Sequence, residues 1–198
     1  MIPMDTVTID VPRTLELKID LTDEQFWQLC RDNDDLQFER TATGELIIMS
    51  PTGGSTGKRN ADLIFQLQAW NRQNKLGEVF DSSSGFKLPN GDERAPDASW
   101  VKSERWNSLT AEEQEKFPPL CPDFVVELMS PNDSLNKTRQ KLKEYIENGA
   151  KLGWIINRKQ RQIEVYRPQQ QPEIMTNPDT VSGEDILPGF TLDLSTIW

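Results

Sequence analysis

A chain of 198 residues with 35% hydrophobic side chains and a mean hydropathy of -0.64 is long enough for one domain with a sizeable core. It contains no histidine, which excludes His-based triads, His-ligated zinc and imidazole general bases, so hydrolytic chemistry would fall to carboxylates, lysine, tyrosine or a metal-bound water. Two distant cysteines, Cys30 and Cys121, make neither a disulfide framework nor a thiolate metal knuckle, and a net charge of -10 argues against passive nucleic-acid binding.

The elements follow in chain order. Residues 1–19 read as an extended arm punctuated by proline, and residues 1–20 are taken as an N-terminal extension to a domain spanning 21–198. Thr22-Asp23-Glu24-Gln25 is a capping box, which predicts a helix over Asp23–Asp32. Leu36–Glu39 and Glu45–Met49 predict a hairpin turning at Thr43-Gly44, and the apolar spacing from Gly57 to Lys75 predicts a helix stopped by Gly77. Short strands are expected at Glu78–Phe80, Gly85–Leu88 and Ala98–Val101, with a charged helix or loop at Leu109–Lys116. Phe124–Met129 is the strongest strand, apolar enough to be buried on both faces. Asn132-Asp133-Ser134 caps a helix that Gly149 stops; Leu152–Asn157 and Gln162–Arg167 form a hairpin; Ile186–Trp198 suggests a last strand and a docked C-terminus. This order implies an α/β fold, a mixed sheet with helices on both faces.

No apolar run approaches the roughly 20 residues that span a bilayer. Met1-Ile2-Pro3-Met4-Asp5 lacks the basic flank and apolar core of a signal peptide, so a cytoplasmic protein is expected. Charge is uneven: from Ser134 to Arg161, eight basic residues face only Glu144 and Glu147. Such a face could meet phosphate, although a solvated helix face is the plainer reading.

Three residues carry chemistry. Asp97 stands in Arg94-Ala95-Pro96-Asp97-Ala98, Glu127 within the central strand, and Lys141 on the helix that follows. Two carboxylates on strands with a lysine nearby suit a divalent-metal site for phosphodiester hydrolysis. A carboxylate in an apolar strand must be paired, protonated or metal-bound. The plainer alternatives are a turn cap for Asp97 and a salt bridge from Glu127 to Lys141 or Arg139. Asp123 reads as a strand-entry cap. Thr52-Gly53-Gly54-Ser55-Thr56-Gly57-Lys58-Arg59 fails as a phosphate loop, because Thr52 occupies the first glycine position and Arg59 the position of the metal-binding hydroxyl. The six tryptophans read mostly as core or sheet-cover residues, with base stacking the alternative for Trp106.

Several stretches in order resemble the Uma-two family, which is common in cyanobacteria: Gly44-Glu45-Leu46, Met49-Ser50-Pro51-Thr52-Gly53-Gly54, Asp81-Ser82-Ser83, Pro96-Asp97-Ala98-Ser99-Trp100-Val101, Pro122-Asp123-Phe124-Val125-Val126-Glu127, Ser130-Pro131, Lys141-Leu142-Lys143-Glu144-Tyr145 and Gly153-Trp154. The resemblance runs from about Leu21 to Trp198. It implies a restriction-endonuclease-like fold of the PD-(D/E)XK type, a mixed central sheet flanked by helices with the active site at a sheet edge. It also implies Asp97 and Glu127 as ligands of Mg²⁺, with Mn²⁺ as a substitute, and DNA as substrate. The lysine expected two residues after the second acid is Met129 here, and Lys141 on the next helix takes its place. An upstream acid is implied as well, Glu45 by first choice and Glu39 by second. Where the family pattern carries His in the Gly-rich turn, this chain has Thr56. The resulting expectation is a Mg²⁺-dependent endonuclease, with a homodimer plausible because cutting both strands often pairs symmetric subunits. The alternatives are a catalytically silent nuclease fold acting as a binding module, and a hydrolase of small phosphoesters.

Overall fold

The structure is a computed structural model and describes residues 14–198. In chain order its elements are β1 (Thr14–Lys18), α1 (Asp23–Asp32), β2 (Gln37–Arg40), β3 (Glu45–Met49), α2 (Gly54–Asn74), β4 (Gly77–Asp81), β5 (Phe86–Lys87), β6 (Glu93–Arg94), β7 (Ala98–Lys102), α3 (Ser103–Trp106), α4 (Ala111–Glu115), β8 (Phe124–Leu128), α5 (Leu135–Glu147), β9 (Leu152–Asn157), β10 (Gln162–Tyr166), β11 (Glu173–Thr176), β12 (Thr180–Ser182) and β13 (Thr191–Asp193). The Thr22 capping box opens α1 as expected, with Gln25 N donating to Thr22 Oγ1 at 3.2 Å and Thr22 N to Gln25 Oε1 at 2.9 Å. A second capping box, Thr110 with Glu113, makes the charged insert a helix from Ala111.

A six-stranded mixed sheet in the order β11-β10-β9-β8-β7-β4 forms the centre. β8 runs parallel to β9 and antiparallel to β7. Both faces of β8 are covered, which is why its sequence is nearly continuous in apolar residues. Side chains alternate across the sheet. Phe124, Val126 and Leu128 pack with Leu63 and Leu67 of α2 and with Leu187, Phe190, Leu192 and Ile197 of the C-terminal segment. Val125 points the other way, into a second cluster with Leu142 and Tyr145 of α5. Glu127 shares that α5 face by parity. Gly153 lets α5 come close: a Cβ there would lie 2.7 Å from Leu142 Cδ1.

The N-terminal strands build a second sheet, β1-β3-β2-β6-β5, rather than joining the central one. Residues 14–18, read as part of an arm, pair antiparallel with β3 along their whole length, from Thr14 opposite Met49 to Lys18 opposite Glu45. Residues 1–13 of that arm lie outside the described residues. Within the C-terminal segment only Thr191–Asp193 is a strand, paired with β12; the remainder docks against α2, where Arg59 Nε donates to Ile197 O at 2.7 Å. No helix among the described residues is long and apolar enough to cross a membrane.

Candidate active site

Two strand ends and one helix bring Asp97, Glu127 and Lys141 together. β7 and β8 pair with Ala98 opposite Val126. Continuing that antiparallel register by one step sets Asp97 opposite Glu127, on the same face. Asp97 is pinned from both sides: its Oδ2 accepts from Leu128 N at 2.7 Å, and its Oδ1 from Asn60 Nδ2 of α2 at 3.2 Å. From α5, the Lys141 ammonium lies 2.8 Å from Glu127 Oε1 and 2.7 Å from Glu39 Oε1, with side-chain exposures of 18% for Lys141, 12% for Glu127 and 3% for Glu39. Lys141 Nζ also donates to Ala95 O at 3.3 Å, so one ammonium serves Glu127, Glu39 and a backbone carbonyl.

Glu39 on β2 is the upstream acid that the structure brings to this cluster. It accepts from Ala95 N at 3.0 Å and from Arg94 Nη1 at 3.1 Å, and Arg94 also reaches Glu144 of α5 at 2.7 Å. Glu45, preferred over Glu39 in the sequence reading, stands apart. It is the first residue of β3, exposed, and paired in register with Lys18. The separation follows from the hairpin: Glu39 sits opposite Ile47 in the middle of the β2–β3 pair, whereas Glu45 lies beyond the last pair, Arg40–Leu46.

The electrostatics set the acids apart. Burial pushes Glu127 up to about 8, with Lys141 pulling against it and Asp97 and Glu39 adding to it. Burial also raises the Asp97 carboxyl above its ordinary value, against the Leu128 N–H, Lys141 and Asn60. For Glu39 the same burial is overcome by Lys141 and Arg94, and its carboxyl sits below the usual range. Burial disfavours the Lys141 ammonium, but Glu127 and Glu39 outweigh it and keep the lysine charged.

A sequence model described as "Uma2: Putative restriction endonuclease" matches residues 23–195. The chain belongs to the Uma2 (Uma-two) family. Five chains of known structure match, among them a crystal structure from Anabaena variabilis ATCC 29413 described as a "putative nuclease belonging to DUF820". It superposes with a TM-score of 0.68 at 21% identity, over 81% of this chain and 88% of that one, which shows the nuclease-type α/β fold expected from the sequence. No curated protein matches.

In this Uma2 chain the donor set fits a hard divalent cation. Among the described residues no three His, Cys, Asp or Glu side chains gather into a cage. Mg²⁺ does not need one; it binds through one or two carboxylates, with waters and substrate phosphate completing its octahedron. Asp97 and Glu127 are oxygen donors side by side, and Glu127 Oε1 is a buried acceptor with spare capacity. Two residues that sequence reasoning passed over complete the surroundings. Asn60 fixes Asp97, and Arg94 fixes Glu39. The signal for Asn60 was its place one helical turn after Thr56, the residue in the Gly-rich turn; Thr56 itself meets Ser130 Oγ at 3.3 Å just past β8. Arg94 carried none, because its partners are 55 and 50 residues away. Asp123 is the strand-entry cap expected of it, accepting from Lys102 N at 2.9 Å. Trp106 packs on Phe80 at 5.1 Å between ring centroids.

Proposed function

We propose that this protein hydrolyses phosphodiester bonds of DNA with Mg²⁺, or Mn²⁺ in its place, held by Asp97 and Glu127. The observation that carries the reading is the Glu127 carboxylate. It is buried in the row beside Asp97, its one cation, Lys141 at 2.8 Å, is shared with Glu39, and its pKa is pushed up to about 8. Burying two acids around one shared counter-ion is unfavourable for a fold, and acids with pKa values raised in this way concentrate where a ligand completes them. A divalent ion in this position supplies Lewis-acid polarisation of the phosphoryl oxygens and a lowered pKa for water.

The chain's own residues do the rest. Leu128 N–H and Asn60 hold the Asp97 carboxylate in one pose, so it needs no reorganisation when the substrate arrives. Glu39 and Ala95 O fix the Lys141 ammonium beside Glu127, where it offsets negative charge on the phosphate and orients the attacking water. Arg94 in turn anchors Glu39. One such centre cuts one strand; a symmetric pair of copies would supply the second cut.

The test is nicking of supercoiled plasmid in Mg²⁺ or Mn²⁺. Wild type nicks, and Asp97→Ala loses about 10²-fold or more, the usual scale for removing an electrostatic component of a catalytic centre. Equal residual nicking in both proteins would overturn the nuclease reading and leave the silent binding module in its place.

A further inference from the structure

Beside the acidic centre lies a group of arginines that the chemistry above does not use. Of the ten arginines among residues 14–198, five hold carboxylates at ion-pair distance: Arg40, Arg94, Arg105, Arg139 and Arg167. Two of the other five, Arg59 and Arg161, meet Trp198, and a third, Arg158, lies close enough to Arg59 to feel its charge. Arg59, on α2, is locked by neutral oxygens. Its Nη1 donates to Ser55 O and Oγ at 2.7 Å, its Nε to Ile197 O at 2.7 Å and its Nη2 to Trp198 O at 3.1 Å. The Arg161 guanidinium lies 5.7 Å from the centroid of the Trp198 ring, and the Trp198 indole donates to Pro178 O at 3.1 Å. Arg158 shares the β9–β10 turn with Arg161, whose N–H donates to Arg158 O at 3.2 Å. Arg158 Nη1 is buried and has no hydrogen-bond partner among the described residues.

In a chain of net charge -10, this concentration of guanidinium groups without an ion pair among the described residues stands out. Burial, and next the charge of Arg59, work against the Arg158 guanidinium; Asp133 favours it but makes no ion pair with it, its Oδ2 being taken by Ser130 N at 2.6 Å. Gathered like charges are relieved by an anion, and guanidinium forks match phosphate oxygens two at a time.

The position is specific. Arg59 immediately precedes Asn60, which holds Asp97. Arg158 lies two residues past Ile156, the register partner of Leu128, whose N–H also holds Asp97. The arginines therefore occupy the same end of the central sheet as the two acids, on the α2 side.

We propose that Arg158, with Arg59 and Arg161, forms a subsite for a backbone phosphate of the polynucleotide neighbouring the one being cleaved. This inference rests on the nuclease reading. It explains how a strongly acidic protein draws a polyanion across its active centre: the charge that counts is local.

The experiment compares wild type with Arg158→Glu and Arg161→Glu on two substrates in Mn²⁺. One is plasmid DNA; the other is bis(p-nitrophenyl) phosphate, a diester with no second phosphate. Arg59 is left intact because it holds the C-terminal segment. The expected result for Arg158→Glu is a loss of about tenfold in plasmid nicking, carried by KM, with hydrolysis of the small diester unchanged. In parallel, anisotropy of a labelled duplex in EDTA should show weaker binding and a salt dependence shallower by about one phosphate contact. Unchanged nicking and unchanged duplex binding in both variants would overturn the subsite while leaving the nuclease reading intact. A fall on both substrates together with a lower Tm would make Arg158 a structural residue and overturn it too. If wild type cleaves neither substrate, yet binds duplex in a salt-dependent way that Arg158→Glu weakens, the nuclease reading fails and the phosphate site stands.

Discussion

Ile155 on β9 separates two acids in one row of the central sheet. Its register partner on β8 is Glu127 and its partner on β10 is Glu164. The two carboxylates share a sheet and a row, and their treatment is opposite. Glu164 is 2% exposed and saturated: Arg139 Nε donates to both of its oxygens at 3.0 Å, Arg139 Nη2 adds a third bond at 2.6 Å, and Tyr166 OH a fourth at 2.9 Å. Glu127 has one cation at 2.8 Å, which it shares with Glu39. A buried charge with every lone pair engaged is a structural member. One left under-satisfied among other acids is held ready for something that brings positive charge.

This contrast can be broken by a reciprocal pair of substitutions. Glu127→Gln keeps the volume and removes the charge; plasmid nicking should fall by about 10²-fold or more, while the thermal unfolding midpoint holds or rises. Glu164→Gln should do the reverse. It weakens several charge-assisted bonds to Arg139 and should cost about 2–3 kcal/mol in urea unfolding, with nicking per folded molecule retained. Loss of nicking in Glu164→Gln with its fold intact would erase the distinction between the two ends of the row.

The same contrast marks how far the sequence could be read. Glu127 was legible because an acid inside Phe124–Leu128 interrupts an otherwise apolar strand, and Asp97 because it enters β7 through Pro96. Lys141 was legible as the basic residue on the helix that must pack behind β8. Glu164 carries a similar local signal, an acid within Gln162–Tyr166, yet its saturation by Arg139 is a contact across 25 residues that no spacing rule supplies. The choice between Glu39 and Glu45 failed for a related reason. Both border one hairpin, and only its docking through the single β2–β6 pair, Arg40 opposite Glu93, decides which acid faces α5. The second sheet was hidden because its strands are short and join through contacts far apart in sequence, while helix starts such as Thr22 are written within four residues.

The pH dependence of stability sharpens the comparison further. Glu127 has a folded-state pKa of about 8 against an ordinary 4.5. Between those values the folded chain binds more protons at this site than the unfolded chain, so the site's contribution to stability declines as pH rises. In EDTA, the Tm of Glu127→Gln minus that of wild type should grow from pH 5 to pH 8 and level off above. Glu39, whose pKa is lowered from the same 4.5, contributes with the opposite sign: its stabilisation is present above 4.5 and is lost only as acid titrates it through its lower folded value. Adding Mn²⁺ should shrink the Glu127 difference, because an ion that needs the carboxylate deprotonated repays its ionisation. A Tm difference that stays flat across the range would show Glu127 ionised throughout and no different in kind from Glu164.

The smallest effects are expected at two tyrosines that echo the two acids. Tyr166 OH bonds Glu164, so Tyr166→Phe should cost about 1 kcal/mol. Tyr145 is fully buried on α5, one turn after Lys141, whose ammonium lies 5.8 Å from its ring centroid, and its hydroxyl has no partner among the described residues. Burial, and then Glu127 and Glu39, raise the Tyr145 phenol well above its ordinary value, so it stays a neutral donor. Tyr145→Phe keeps the ring and removes only an unpaired, desolvated group, so stability should hold or rise by up to about 1 kcal/mol, with nicking unchanged. Should Tyr145→Phe instead slow nicking without altering urea unfolding, its hydroxyl would belong to the catalytic end of the row, serving Glu127 as Tyr166 serves Glu164.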